Sequence, residues 1–252
     1  VVSTLVLSAC ASTPTTAIEA GPGILRVGVS PDAPPLIFKQ NGKISGLEAE
    51  MAVTLANYLE KTAVFVEVPW EDQIPALLAN RTDIIMSGMS VTLARQYKIA
   101  FSRPYFKSGL MILVKDLNTF TFITNRETAF AQSITWRIGV VKGTTGETFI
   151  RQKSMGAKAI NDFPNQKEAL KALIAGRIDV FVHDAPIVLM MAAQHQSEGV
   201  KPLPVMFSEE FLAWGLRKDD PDLVEAVNAF IDQAKQKGTM QTTIKRWIPL
   251  AE

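Results

Sequence analysis

Arg95 and Asp184 are the side chains in this 252-residue sequence best placed to hold a small ionic molecule. Arg95 lies one turn beyond Gly88-Met89-Ser90, in a helix that Thr92 would cap, so its guanidinium can return to the mouth of that turn. Two parallel N–H groups of a guanidinium fit the two oxygens of a carboxylate. Asp184 follows a strand in the other half of the chain and offers the opposite charge, suited to an ammonium. An Arg on one side and an Asp on the other match the zwitterion of an α-amino acid. Each also has a structural alternative: Arg95 as a solvated helix residue, Asp184 as the N-cap of a helix over 185–195 with Pro186 in its first turn.

Other chemistries find little support. GMSVT at 88–92 lacks the second Gly of a nucleophile elbow, and GTTG at 143–146 has no P-loop Lys. Cys10 is the lone cysteine, and His183 and His195 are the two histidines, which excludes disulfides within the chain, a Cys-based zinc site and a His-rich metal centre. No metal or cofactor is expected. Lys plus Arg number 26 against 25 Asp plus Glu, a balance unlike the basic surplus of a nucleic-acid binder. Apolar residues are 47% of the chain, enough for a sizeable core, yet no apolar run reaches the roughly 18 residues of a membrane span.

The elements that would position Arg95 and Asp184 come from an internal repeat. ALLANRTDIIM at 76–86 matches ALIAGRIDVFV at 172–182, including Arg81/Arg177 and Asp83/Asp179, and Arg26-Val27-Gly28-Val29 is echoed by Arg137-Ile138-Gly139-Val140. Hydrophobic patterning alone does not require matching polar positions, so two similar α/β units are expected. In the first, strands at 24–29, 63–68 and 83–87 alternate with helices at 48–60 and 71–80. The second has strands at 137–142, 158–162 and 178–183 and helices at 146–155, 165–175 and 185–195. A strand over 211–217 follows, then a helix with Asp220 as N-cap, Pro221 at its first position and Gly238 past its end. Strands separated by helices imply parallel sheets, whose ligands sit beyond the carboxyl ends of the strands. That rule selects 30–35, Gly88-Met89-Ser90, Gly143-Thr144-Thr145-Gly146 and His183-Asp184, two segments from each unit.

At the N-terminus, residues 1–9 read as the remnant of a signal peptide. Leu7-Ser8-Ala9-Cys10 resembles a lipobox, with Cys10 the lipid attachment, and 10–23 form a Ser/Thr/Pro/Gly tether kept out of the fold. Localisation would be the periplasm or cell surface, on the membrane only through that lipid anchor.

The stretches LRVGVSPDAPP, GKISGLEAEMA, VPWEDQIPALLANRTDIIMSGMSVTLARQ, FSRPYFKSGLMILV, RIGVVKGTTGE and IDVFVHDAP resemble the extracellular solute-binding proteins of polar amino-acid ABC transporters. The resemblance runs from about Leu25 to Trp247, is most specific over 70–95, and is nearest to glutamine receptors. It implies an α/β protein of two Rossmann-like lobes with mainly parallel sheets joined by two hinge crossings, as in type II periplasmic binding proteins. Lobe 1 would comprise 24–106 and 209–252, lobe 2 would comprise 107–208, and the crossings would be 105–110 and 208–212. The implied ligand residues are Trp70 on the ligand's aliphatic part, Gly88 and Ser90 on its carboxylate and ammonium, Arg95 clamping the carboxylate, and Lys142, Thr145, Gly146, His183 and Asp184 from the second lobe. Ala33 stands where many members have a stacking aromatic, and Ser30 where glutamine receptors have an acid. The implied function is a monomeric, non-catalytic receptor delivering a polar amino acid to an ABC permease. With Lys142 and His183 left to meet the side chain, glutamine is favoured over lysine or arginine. The alternative is an enzyme on the same scaffold, of the cyclohexadienyl or arogenate dehydratase type, with Asp184, Lys142 or His183 as acid or base. A sensor or murein-enzyme input domain is less favoured.

Overall fold

The computed structural model describes residues 23–249 except 116–119, 121, 122, 134 and 154–156. Cys10 and the expected signal and tether lie outside the described residues, apart from Gly23, which belongs to the fold and accepts the Thr62 N–H at 2.7 Å. The first lobe opens with β1 (Ile24–Val29), an antiparallel meander of β2 (Asp32–Ala33), β3 (Ile37–Gln40) and β4 (Lys43–Ser45), then α1 (Leu47–Tyr58) and β5 (Thr62–Glu67). It continues through α2 (Gln73–Leu78), β6 (Ile84–Ile85), α3 (Leu93–Lys98) and β7 (Ala100–Phe101). The chain crosses along β8 (Phe106–Ser108) to the second lobe, made of β9 (Leu110–Val114), α4 (Arg126–Ser133), β10 (Arg137–Val141), α5 (Thr145–Lys153), β11 (Ala159–Phe163), α6 (Gln166–Ile174), β12 (Val180–Asp184), α7 (Ala185–Gln194) and β13 (Lys201–Pro202). It returns along β14 (Glu210–Leu212) to β15 (Gly215–Leu216), α8 (Pro221–Gln236) and α9 (Thr239–Trp247).

Each lobe has its own five-stranded sheet, ordered β5-β1-β6-β15-β7 and β11-β10-β12-β9-β13. In both, the first three strands are parallel, the fourth runs against them, and the fifth pairs antiparallel with the fourth. The internal repeat is therefore a repeat of sheet topology, and its polar positions have a shared cause. The main-chain N–H, Nε and second terminal nitrogen of Arg26 donate to the Asp83 carboxylate at 2.8, 3.1 and 2.6 Å. Arg137 does the same to Asp179 at 2.7, 3.1 and 2.6 Å. An Arg on the first strand of each unit thus fixes the residue that leads into its neighbour. Asn80 and Gly176, at φ 56° and 68°, turn the chain out of α2 and α6, which is why that position needs a residue at home in the left-handed region.

Asp220 caps α8, accepting from the Leu223 N–H at 3.2 Å, and α8 buries Val227, Phe230, Ile231 and Ala234 against the first sheet. One expected element divides. The strand foreseen over 211–217 is β14 and β15, which belong to different sheets: β14 pairs with β8 in the crossing, and β15 lies between β6 and β7. Between them Ala213 donates to the Met89 carbonyl and Trp214 to Ser102 Oγ, so the chain turns from one ladder into the other.

The two Arg–Asp pairs differ in exposure. Side chains of Arg26 and Asp83 are 5% and 16% exposed, against 37% and 31% for Arg137 and Asp179. Burial opposes the charge on Asp83, but the bonds from Arg26 outweigh it and hold the carboxyl below its ordinary value. A depressed carboxyl stabilises the fold above its unfolded pKa, and that contribution is lost as pH falls through the folded value. Asp83→Asn is expected to cost about 1.5–3 kcal/mol in urea unfolding at neutral pH and to flatten the acid limb of the stability curve, with a smaller loss for Asp179→Asn. Equal losses for the two variants would contradict this.

Candidate functional site

The carboxyl ends of β1 and β6 face those of β10 and β12 across a cavity between the lobes. The first lobe lines it with Ser30, Asp32, Ala33, Trp70, Ser87, Gly88, Ser90 and Arg95. The second contributes Val141, Thr144, Thr145, Pro164, Asn165, Gln166, His183, Asp184 and Ile187.

Thr92 Oγ1 accepts from the Arg95 N–H at 3.2 Å and starts α3, so the Arg95 side chain does fold back to the mouth. Its guanidinium donates to the Ser90 carbonyl at 2.7 Å and, across the lobes, to the Gly143 carbonyl at 3.1 Å, and lies 5.2 Å from the Trp70 ring centroid. Burial lowers its pKa, against the pull of Asp184 and Glu210, though an arginine remains charged throughout. Among the described residues no carboxylate lies within ion-pair distance of it.

Asp184 is buried at the end of β12 and occupies the N-cap position of α7, yet its side chain makes no capping bond. Its Oδ2 lies 2.9 Å from His183 Nδ1, while Oδ1 is buried with no hydrogen-bond partner. The same Nδ1 stands 2.8 Å from the Asp184 N–H. An unprotonated Nδ1 accepts that N–H; a protonated one pairs with the carboxylate. An unsatisfied carboxylate oxygen on a cavity wall costs on the order of 1–3 kcal/mol unless a donor arrives.

Seven of the residues singled out from sequence meet at the cavity: Trp70, Gly88, Ser90, Arg95, Thr145, His183 and Asp184. Gly88 gives its N–H to Glu48 Oε1 at 3.0 Å, which leaves its carbonyl for the cleft. Lys142 and Gly146 are not among the lining residues. Lys142 Nζ lies 3.4 Å from Glu71 Oε1 in an exposed pair that bridges the lobes outside the cavity. A side chain at Gly146 would place its Cβ 3.1 Å from the Val182 carbonyl, so this glycine serves the packing of α5 on β12. Ser30 is committed internally: its hydroxyl donates to the Val68 carbonyl at 2.7 Å and its N–H to Ser87 Oγ.

Gln166 was not foreseen, whereas Asp32 lies in the 30–35 segment that the strand-end rule selects. Gln166 opens α6 and donates its amide to the Asp32 carbonyl, a second bond between lobes. Asp32 lines the cleft with an exposed side chain, its pKa raised by partial burial and lowered by His183. The strand-end rule would have found Gln166, since 164–166 follow β11 as 143–146 follow β10.

Residues 25–250 match the family model of bacterial extracellular solute-binding proteins, family 3. The chain belongs to this family. L-cystine-binding protein TcyJ of Escherichia coli (strain K12) is 29% identical over 228 residues, covering 89% of this chain and 82% of that protein. An ancestral arginine-binding protein bound to arginine superposes with a TM-score of 0.82 at 30% identity, over 90% of this chain and 99% of that one, and an ancestral arginine-binding protein bound to glutamine gives the same score and identity. The ancestral amino acid-binding protein AncCDT-1, a precursor of cyclohexadienyl dehydratase, gives 0.80 at 35% identity, over 89% of this chain and 95% of that one. No helix among the described residues is long and apolar enough to cross a membrane.

An exposed ion pair contributes less than about 1 kcal/mol, so Lys142→Ala is expected to change solute affinity by no more than about fivefold in a calorimetric titration. Loss of measurable binding would mean that Nζ reaches the solute.

Proposed function

We propose that the chain is an extracytoplasmic receptor that closes its two lobes, 24–106 with 209–252 and 107–208, on an amino acid and delivers it to an ABC permease. The observation that carries this reading is the pair of unmet charges in one cavity: the Arg95 guanidinium without a carboxylate on one wall, and Asp184 Oδ1 without a donor on the other. A ligand carboxylate completes the first and a ligand ammonium the second, aided by Ser90 and the Gly88 carbonyl, with Trp70 over the aliphatic part. The paired β8 and β14 form the hinge, within 105–110 and 208–212. Closure joins what neither lobe offers alone, so the ligand shifts the balance between open and closed states. The receptor acts as a monomer in the periplasm or at the cell surface, tethered through a lipid on Cys10.

The preference for glutamine over cationic side chains rests on Lys142 and His183 in the pocket, and the Lys142 part of that premise falls away with Lys142 paired to Glu71, while His183 lines the cavity. After Arg95 and Asp184 have met the zwitterion, Asp32 remains as a carboxylate at the cleft, with Ala33 leaving space beside it. A cationic side chain fits that remainder better than an anionic one. The ancestral relatives solved with arginine and with glutamine support both charge states of a long side chain on this scaffold.

Calorimetric titration of the twenty amino acids tests the reading. Arginine or lysine is expected to bind most tightly, and Arg95→Ala should cost on the order of 2–5 kcal/mol for every ligand, since it strands a buried carboxylate. Asp32→Asn should weaken the cationic ligands alone. Unchanged affinities in Arg95→Ala would place the site elsewhere. Turnover of prephenate or arogenate would favour the dehydratase alternative that the 35% identity to AncCDT-1 keeps open.

A further inference from the structure

Glu48 is buried in the first turn of α1, 1% exposed. Its surroundings are all donors. Oε1 accepts the Gly88 N–H at 3.0 Å and the Tyr105 hydroxyl. Oε2 is buried with no partner, and so is the indole Nε1 of Trp214, whose ring stacks on that of Tyr105 at 5.5 Å between centroids. A carboxylate only accepts, so this nest of N–H and O–H groups suits the ionised form and has no evident acceptor for an added proton beyond the Tyr105 oxygen.

The three donors belong to three segments that must move in concert. Gly88 opens the turn that lines the cleft. Tyr105 precedes the outgoing crossing, and its N–H donates to Leu212 at the end of the returning one. Trp214 follows that return, next to Ala213, which donates to the Met89 carbonyl in the ligand turn. Ser90 bridges to Leu212 as well.

We propose that ionised Glu48 is a positioning residue that holds the cleft turn at Gly88 and both hinge crossings as one unit, so that its protonation weakens ligand binding without its touching the ligand. This rests on the cleft being the amino-acid site. Burial raises the Glu48 pKa to about 7, although the bonds from Tyr105 and Gly88 and the nearby indole N–H of Trp214 lower it. Tyr105 is the titratable group in contact with it, and its own pKa is raised by burial, by Glu48 and by Asp184. On the other face of α1, the Arg246 and Trp247 side chains of α9 go to Glu50 and not to Glu48.

The sign follows from linkage. The folded, ligand-free protein holds a proton on Glu48 that the unfolded chain releases nearer 4.5, so its stability falls as pH rises between 4.5 and about 7. Ligand binding favours the ionised form and runs the other way, with affinity rising through about pH 7.

The experiment is calorimetric titration of the tightest-binding amino acid between about pH 5.5 and 8.5 for wild type, Glu48→Gln and Tyr105→Phe. Wild type should bind on the order of tenfold more tightly at the upper end, a gain of about 1.4 kcal/mol. Glu48→Gln should be weaker than wild type at high pH and lose the dependence on pH. Tyr105→Phe removes a bond that lowers the Glu48 pKa, so its profile should shift to higher pH, a change that lost stability alone does not produce. A wild-type profile retained in both variants would overturn the inference and leave the cleft site standing. No amino-acid binding by wild type at any pH would overturn the site and the inference together.

Discussion

The arrangement of the molecule turns on two opposite charges, a buried Asp184 and a half-buried Arg95, on facing walls that do not pair with each other. Arg95 has only carbonyl oxygens for partners, one from each lobe, and Asp184 keeps one carboxylate oxygen with no donor. Folding alone would favour pairing such groups directly or leaving them in solvent, since an uncompensated buried charge is among the costlier features a fold can carry. Holding them apart requires two rigid supports, and the duplicated α/β unit supplies these. Each sheet presents the ends of its first and third strands to the cavity, and each is tied at the base of those strands by its own Arg–Asp pair. The charges are thereby set on scaffolds that are stiff within a lobe and joined by two short β segments.

That division of labour accounts for the placement of the crossings. β8 and β14 pair with each other and lie outside both main sheets, so a change of angle between lobes need not break either ladder. Their lobe-1 ends are bonded into the 88–91 turn through Leu212, Ala213 and Phe211. In the proposed receptor, binding energy gained at that turn acts directly on the segments that would rotate. Across the cleft, Gln166 to Asp32 and Arg95 to Gly143 are contacts that only a closed arrangement can make.

Much of this was legible in the residues. The repeat of Arg and Asp positions, the Thr92 and Asp220 caps and the polar ends of four strands all follow from local rules, and the structure realises them close to where those rules put them. What stayed hidden depends on distance in sequence. Arg26 and Asp83 were each visible as repeated positions, but nothing local says that residues so far apart bond to one another. The split between β14 and β15 comes from two competing sheets, neither of which is written into 211–217. Lys142 resembles a ligand residue by motif, yet Glu71 lies within reach on the other lobe and takes it. Glu48 reads as an ordinary acidic residue in a first helical turn until the fold closes Tyr105 and Gly88 over it.

In the proposed function Arg95 and Asp184 are held apart because one zwitterion belongs between them. A crystal structure of the protein grown with its tightest-binding amino acid tests that directly. The ligand carboxylate is expected on the Arg95 guanidinium, the ammonium on Asp184 Oδ1 and the side chain directed towards Asp32. A ligand bound outside this cavity, or one inside it with its ammonium on any group other than Asp184, would contradict the claim.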